Sequence, residues 1–379
     1  MNESVFANAL VVTRTEAFRG VVRIAEGRIA EIERQARVPA GALDCEGDWL
    51  IPGLVELHTD VLERHAFPRP GVRWPETAAV MAYDAQLASA GVTTAFDSLA
   101  VGYVFDTGQR PRDPRPLASA IRAAQAQGIL RAEHFLHIRC EVGTAQLLED
   151  FAPFTDDPMV RLVSLMDHTP GQRQFVSLDK YREYYQGKFG LSDVEVETLI
   201  ESRRLDRARF GDRHRSAIIA LCAKHGLPMA SHDDATVRHV EEALEAGATI
   251  AEFPTTLEAA GAARAYGLSV LVGGPNLILG GSHSGNVAAA LLAERGLIDI
   301  LSSDYVPAAA LHAALWLHAR HGVRLPEAVA TVTLTPARRI GLEDRGEIAV
   351  GQLADLVRVR LTPELPVVLG VWRQGVRVA

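Results

Sequence analysis

The stretch LVELHTDVLERH, residues 54–65, gathers two histidines, one aspartate and two glutamates at the end of an apolar run that begins beside a Pro-Gly pair. Apolar residues bounded by turn formers read as a buried strand. Side chains two apart in a strand share a face, so Glu56, His58 and Asp60 are expected together, opposite Val55 and Leu57. A His-x-Asp pair at the end of such a strand lets an imidazole and a carboxylate reach one divalent ion. Satisfied buried polarity is the alternative, and the choice turns on whether other strands end in the same way.

Further along the chain, comparable apolar runs occur at residues 91–100, 133–142, 160–170, 227–234, 248–256, 268–277 and 298–307. With 50–60 they make eight, and helix-like segments between them often close on the glycine that favours a helix C-terminus. Alternation of this kind predicts an α/β chain folded as a (β/α)8 TIM barrel. An open doubly wound sheet is the alternative, and the Gly-rich phosphate fingerprint expected after its first strand is missing. Residues 1–50 and 345–379 instead show short alternating strands, predicted to pair as a small β-sandwich accessory domain formed by both chain termini. That leaves 51–344 as the barrel domain, with a polar insertion at about 172–213, too long for a simple connection, over the barrel mouth.

A net charge of −8 gives no global attraction to nucleic acid or to an anionic membrane surface. No run of 18 apolar residues and no signal-peptide pattern occurs, so a soluble cytoplasmic protein is expected. The three cysteines, Cys45, Cys140 and Cys222, are far apart and indicate neither a disulfide framework nor a thiolate zinc site. Whether the apolar helix faces pack within the barrel or in a homo-oligomer is left open.

Ionisable strand ends recur: Glu141, Asp167-His168, His232-Asp233-Asp234 and Asp304 follow His58 and Asp60. Unpaired charges desolvated side by side are costly, whereas two divalent cations would neutralise them at the rim where barrel enzymes act. The candidate ligands are His58, Asp60, Glu141, His168, His232 and Asp304, with Asp304 also the candidate catalytic proton acceptor. His134 and His137 fall on opposite faces of their strand and read as core or supporting groups. GGSHSGN, residues 280–286, has glycines that let backbone N–H groups approach an anion, with Ser282, His283, Ser284 and Asn286 as further groups. Arg69, Arg73, Arg173, Lys180 and Lys188 are candidate anion clamps.

With His-x-Asp on the first strand, acids and imidazoles on middle strands and Asp on the eighth, the chain resembles the amidohydrolase superfamily. PGLVELHTD (52–60) and GEIAVGQLADLVRV (346–359) look like its recurrent end signatures. ELHTDVLERHAFPRPGVRWP (56–75), GGPNLILGGSHSGN (273–286) and ILSSDYVPAA (300–309) resemble its subgroup from phosphonate metabolism, the carbon-phosphorus lyase pathway. The resemblance implies a binuclear metal hydrolase, with Zn first and Mn or Fe as alternatives, acting as a diphosphatase on a phosphorylated sugar phosphonate. Many relatives bridge their metals with a carboxylated lysine. Lysine occurs here only at Lys180, Lys188 and Lys224, none at a predicted strand end, so the resemblance makes Glu141 the bridge. Leu279 stands where the subgroup often has Arg, and Val61 where it often has Asn. A superfamily hydrolase of a cyclic amide, N-acyl or amino-purine substrate is the alternative.

Overall fold

A computed structural model of the chain describes residues 4–35, 37–102, 113–282 and 285–379, and leaves out the side chain of Lys188. Strands β1 (Ser4–Val12), β2 (Ala17–Ala25), β3 (Arg28–Glu33), β4 (Leu43–Asp44) and β5 (Trp49–Pro52) come first. The barrel strands are β6 (Leu54–Thr59), β7 (Val92–Val101), β8 (Glu133–Glu141), β9 (Val160–Met166), β10 (Met229–His232), β11 (Ala248–Glu252), β12 (Ser269–Gly273) and β13 (Ile300–Ser302). Strands β14 (Leu356–Leu361), β15 (Pro366–Arg373) and β16 (Val376–Arg377) end the chain.

The eight strands β6 to β13 pair in parallel in sequence order, one at each of the runs the sequence predicts, with β7 reaching one residue beyond its run. Closure is made by backbone bonds from Asp60 N to the Asp304 carbonyl (3.0 Å) and from Asp304 N to the His58 carbonyl (3.2 Å), so three candidate site residues also join the first strand to the last. Val55, Leu57, Phe96, Phe135, Leu162, Ala230, Ile250, Leu271 and Ile300 make one buried cluster with a contribution from every barrel strand. That cluster is the barrel interior, filled by side chains rather than open. A second apolar layer, including Leu136, Ile138, Val163 and Val270, packs the outer face of the strands against the helices.

One sequence expectation is corrected in β6. Val55 and Leu57 belong to the interior cluster, so they do not oppose His58 across the strand. The pairing of β6 with β7 is irregular between Glu56 and Thr59, which breaks the two-residue alternation there. The Glu56 carboxylate occupies the irregularity, accepting from the amides of His58 (2.9 Å) and Ser303 (2.7 Å).

Both termini contribute to a single hydrogen-bonded sheet of order β16-β15-β14-β5-β1-β2-β3, with β4 on β1. In a flat sheet β15 and β1, three strands apart, would be separated by about 14 Å. Phe6 and Trp372 nevertheless meet with ring centroids 4.8 Å apart, so the sheet curls around its own core of Phe6, Val22, Ile24, Ile29, Leu50, Leu356 and Trp372. β5 runs into β6 through Gly53, where a Cβ would come within 2.1 Å of Thr93 Oγ1. The insertion after β9 forms helices Leu178–Phe189 and Asp193–Asp206, closed on a small core of Phe175, Tyr181, Val196 and Ile200.

Candidate metal centre

The C-terminal ends of the barrel strands open into a cavity of about 1080 Å³ lined by His58, Asp60, Glu141, His168, His232 and Asp304 together. All six candidate ligands therefore face one space. His58, Asp60 and Asp304 place one ligand atom each within 4.8 Å of one another; His168, His232 and Asp233 do the same, as do His58, His232 and Glu252.

The imidazoles share one arrangement. His58 turns Nε2 toward Asp60 Oδ1 (3.9 Å) and Nδ1 toward Glu252 (3.2 Å). His232 turns Nε2 toward Asp233 Oδ2 (3.4 Å) and Nδ1 toward the other Glu252 oxygen (3.2 Å). His168 turns Nε2 toward Asp233 Oδ2 (3.6 Å) and Nδ1 toward Glu141 (2.6 Å). Each ring is thus held at Nδ1 by a buried carboxylate, the pattern by which ligand histidines are oriented. Among the described residues Asp233 Oδ2 is buried without a hydrogen bond although two Nε2 atoms converge on it. A cation among these nitrogen and oxygen donors would satisfy all three, so the residues fit a divalent metal.

Electrostatics agree with a site short of positive charge. Burial, and then Asp60, push Asp304 up to about 7. Burial pushes Glu252 up to about 8, and holds His232 well below the usual imidazole range. Burial opposes charge on His168, but Glu141 and Asp233 raise it to about 9. Arg139 ion-pairs with Asp60 at 2.7 Å and supplies buried positive charge.

Strand ends carry backbone strain. Asp233, Phe253 and Asp304 have φ of 55°, 52° and 54°, a left-handed conformation that Asp tolerates and Phe rarely adopts. Such residues gather where function over-determines the backbone. Gly273 leaves the space that Asp304 needs, since a Cβ there would lie 3.2 Å from its Oδ2.

The structure places Glu141 differently from the bridging position expected of it. Its carboxylate meets His168 at Nδ1, the ring nitrogen opposite Asp233, and Arg203 Nη2 at 3.1 Å. Lys180 is a second departure. It pairs with Glu183 at 2.7 Å on an exposed helix turn and is not part of the cavity wall. Arg173 is buried against Asp234 at 2.5 Å and the His232 carbonyl at 3.3 Å, so it braces the end of β10. Arg73 pairs with Glu76. Arg69, Ser282 and Asn286 do line the cavity. His283, Ser284 and the Lys188 side chain lie outside the described residues. His134 and His137 take opposite faces of β8, the first against Asp84 and Asp97, the second inside the barrel on the Leu57 carbonyl and Ser164.

Sequence reasoning passed over Arg64, Arg139, Arg203 and Glu252, and placed Asp233 among the ionisable strand ends without choosing it as a ligand. Glu252 had the same signal as Glu141, one acid ending an apolar strand. Arg139 precedes Glu141 by two residues and shares its face. Nothing local distinguishes Arg203, which reaches the site from the insertion.

A model of the amidohydrolase family matches residues 167–379. With the closed barrel and the histidine–carboxylate rim, the chain belongs to the amidohydrolase family, whose members are hydrolytic enzymes that typically bind divalent metals. It is 46% identical over 374 residues to the alpha-D-ribose 1-methylphosphonate 5-triphosphate diphosphatase of Escherichia coli (strain K12), covering 98% of this chain and 99% of that one. It is 27% identical over 391 residues to the imidazolonepropionase of Cupriavidus pinatubonensis, covering 92% and 84% of the two chains. Among solved structures, N-acetyl-D-glucosamine-6-phosphate deacetylase from Mycobacterium smegmatis superposes with a TM-score of 0.63 at 19% identity, over 99% of this chain and 100% of the other, a likeness of fold.

Proposed function

We propose that this chain hydrolyses α-D-ribose 1-methylphosphonate 5-triphosphate to the 5-phosphate and diphosphate, using two divalent ions, Zn first and Mn or Fe as alternatives. The observation that carries this reading is the 46% identity to the Escherichia coli diphosphatase, sustained over 98% of the chain. His58, Asp60 and Asp304 would hold one ion, and His168, His232 and Asp233 the other, within the groups whose donor atoms already converge. Divalent ions there lower the pKa of water and offset charge on phosphoryl oxygens.

The chain's own residues do the rest. Water oxygen bonds to the phosphorus nearest the ribose as the bond from that phosphorus to the bridging oxygen breaks, and diphosphate departs. Asp304, facing the cavity from the end of β13, accepts the proton from that water. Arg64 and Arg69, from the connection after β6, offer guanidinium donors to the polyphosphate, and Ser282 and Asn286, from the connection after β12, offer polar groups on the same cavity wall. β6 and β12 flank β13 in the closed barrel, so these groups and Asp304 share one side of the mouth. The insertion after β9 stands opposite and supplies Phe175, Tyr184, Tyr185 and Phe189 to the wall. A triphosphorylated substrate does not cross membranes unaided, which supports a reaction in the cytoplasm, where such substrates are made.

The test is an assay of purified, metal-loaded protein with ribosyl triphosphates, measuring diphosphate against single phosphate. Diphosphate as first product supports the proposal. Cleavage of N-acyl, cyclic amide or amino-purine substrates with ribosyl triphosphates left intact would replace it.

A further inference from the structure

We infer that Glu252 is a positioning residue that holds two imidazoles at once, fixing His58 and His232 in the tautomer that turns both Nε2 atoms toward the site. One carboxylate oxygen lies 3.2 Å from His58 Nδ1 and the other 3.2 Å from His232 Nδ1. Glu252 is 1% exposed and is not part of the cavity wall, whereas His58, His232, Asp60, Asp233 and Asp304 line it. It therefore stands behind the ligand groups rather than among them. An ionised carboxylate accepts hydrogen bonds and cannot donate, so each Nδ1 that meets it carries the ring proton. Each Nε2 then keeps its lone pair, on the side where Asp60 and Asp233 lie.

Packing fixes the ring planes as well. The two imidazoles lie nearly parallel, at 16° with centroids 5.7 Å apart, and each meets the Phe253 ring edge-on, at 4.7 and 5.5 Å. Phe253 directly follows Glu252, and its left-handed φ of 52° lets the ring reach the cavity wall while the carboxylate stays behind it. A single strand end thus grips both imidazoles from two directions. Glu141 backs only one ring, that of His168.

The consequence for metal binding rests on the ion centre proposed above, so the test begins with metal-free protein. Nitrogen NMR of that protein is expected to show Nδ1–H tautomers for His58 and His232, the rings whose Nδ1 atoms meet Glu252. In Glu252→Gln the amide oxygen can accept from one imidazole, while the amide NH2 must donate to the other and drive it to the Nε2–H form. One of the two rings should switch tautomer, and zinc affinity should fall by about 10–100-fold. Glu252→Asp keeps two acceptor oxygens and should keep both wild-type tautomers. Nε2–H tautomers in the wild type, or Glu252→Gln protein with both wild-type tautomers and zinc affinity intact, overturn the inference. Wild-type protein with the stated tautomers that binds no zinc supports the inference and removes the metal reading alone.

Discussion

Asp304 has two duties at the scale of one residue: its backbone closes the barrel on His58 and Asp60, and its side chain faces the cavity. Asn in its place keeps the shape and loses the proton acceptor. Asp304→Asn is expected to lower kcat by about 10²–10⁴-fold with the far-UV spectrum unchanged, as removal of a positioned general base does. Unaltered diphosphate release in this variant would remove Asp304 from the reaction. Leu279 lines the cavity and is 73% exposed, so its side chain makes little use of burial. Leu279→Arg should lower KM for a ribosyl triphosphate several-fold by adding a charge-assisted contact, with kcat nearly constant, as uniform binding requires. Steady-state kinetics at two salt concentrations check both the gain and its electrostatic origin.

Single elements couple to the site through buried ion pairs. The insertion helix Asp193–Asp206 sends Arg203 to Glu141, with side chains 4% and 2% exposed, and Arg207 follows it to Asp167. Arg203→Gln leaves Glu141 with one cationic partner fewer in a low-dielectric place, at a cost of about 3 kcal/mol or more. Hydrogen exchange should quicken across Leu178–Asp206 while β7 and β8 keep their protection. A second buried group joins the helix Glu76–Ser89 to the outer face of the barrel. His134 meets Asp97 at 2.9 Å and Asp84 at 3.2 Å, and Tyr83 donates to Asp97 at 2.8 Å. Burial opposes the imidazolium, but Asp97 and Asp84 raise it to about 9. A folded pKa above the unfolded one stabilises fully below about 6.5 and is lost as pH climbs through 9, a change of order 3 kcal/mol. Urea unfolding of wild type and His134→Gln at pH 6 and pH 9.5 should show their stability gap shrinking at the higher pH. A gap independent of pH would mean that the ring is neutral when folded.

For the whole molecule, the centre joins residues from six barrel strands or their ends, so ions bound there stabilise the closed barrel against the unfolded chain. Chelation is expected to abolish hydrolysis and lower Tm by a few degrees. Returning ions at 100 times their Kd should restore about 2.7 kcal/mol, read by thermal melts. The barrel was legible because a parallel strand covered on both faces must be apolar along its length, so Leu54–Thr59 and Val92–Val101 declare themselves against the amphipathic stretches between them. That the six candidate residues gather around one cavity was legible for the converse reason, since a charge ending an apolar run has few stable uses other than a site. Alternation could not reveal the irregularity in β6, because the partner that stabilises it, the Ser303 amide, is 247 residues from Glu56. By itself the sequence determined eight apolar strands, the ionic residues at their ends and a sheet drawn from both termini, all of which follow from local period and polarity. Only the tertiary structure decided that Glu252 stands behind two imidazoles, that Glu141 meets His168 at Nδ1 and that Lys180 stays at the surface. Those are choices of direction, made when residues distant in the chain compete for the same few ångströms of space, and residue type alone carries no record of them.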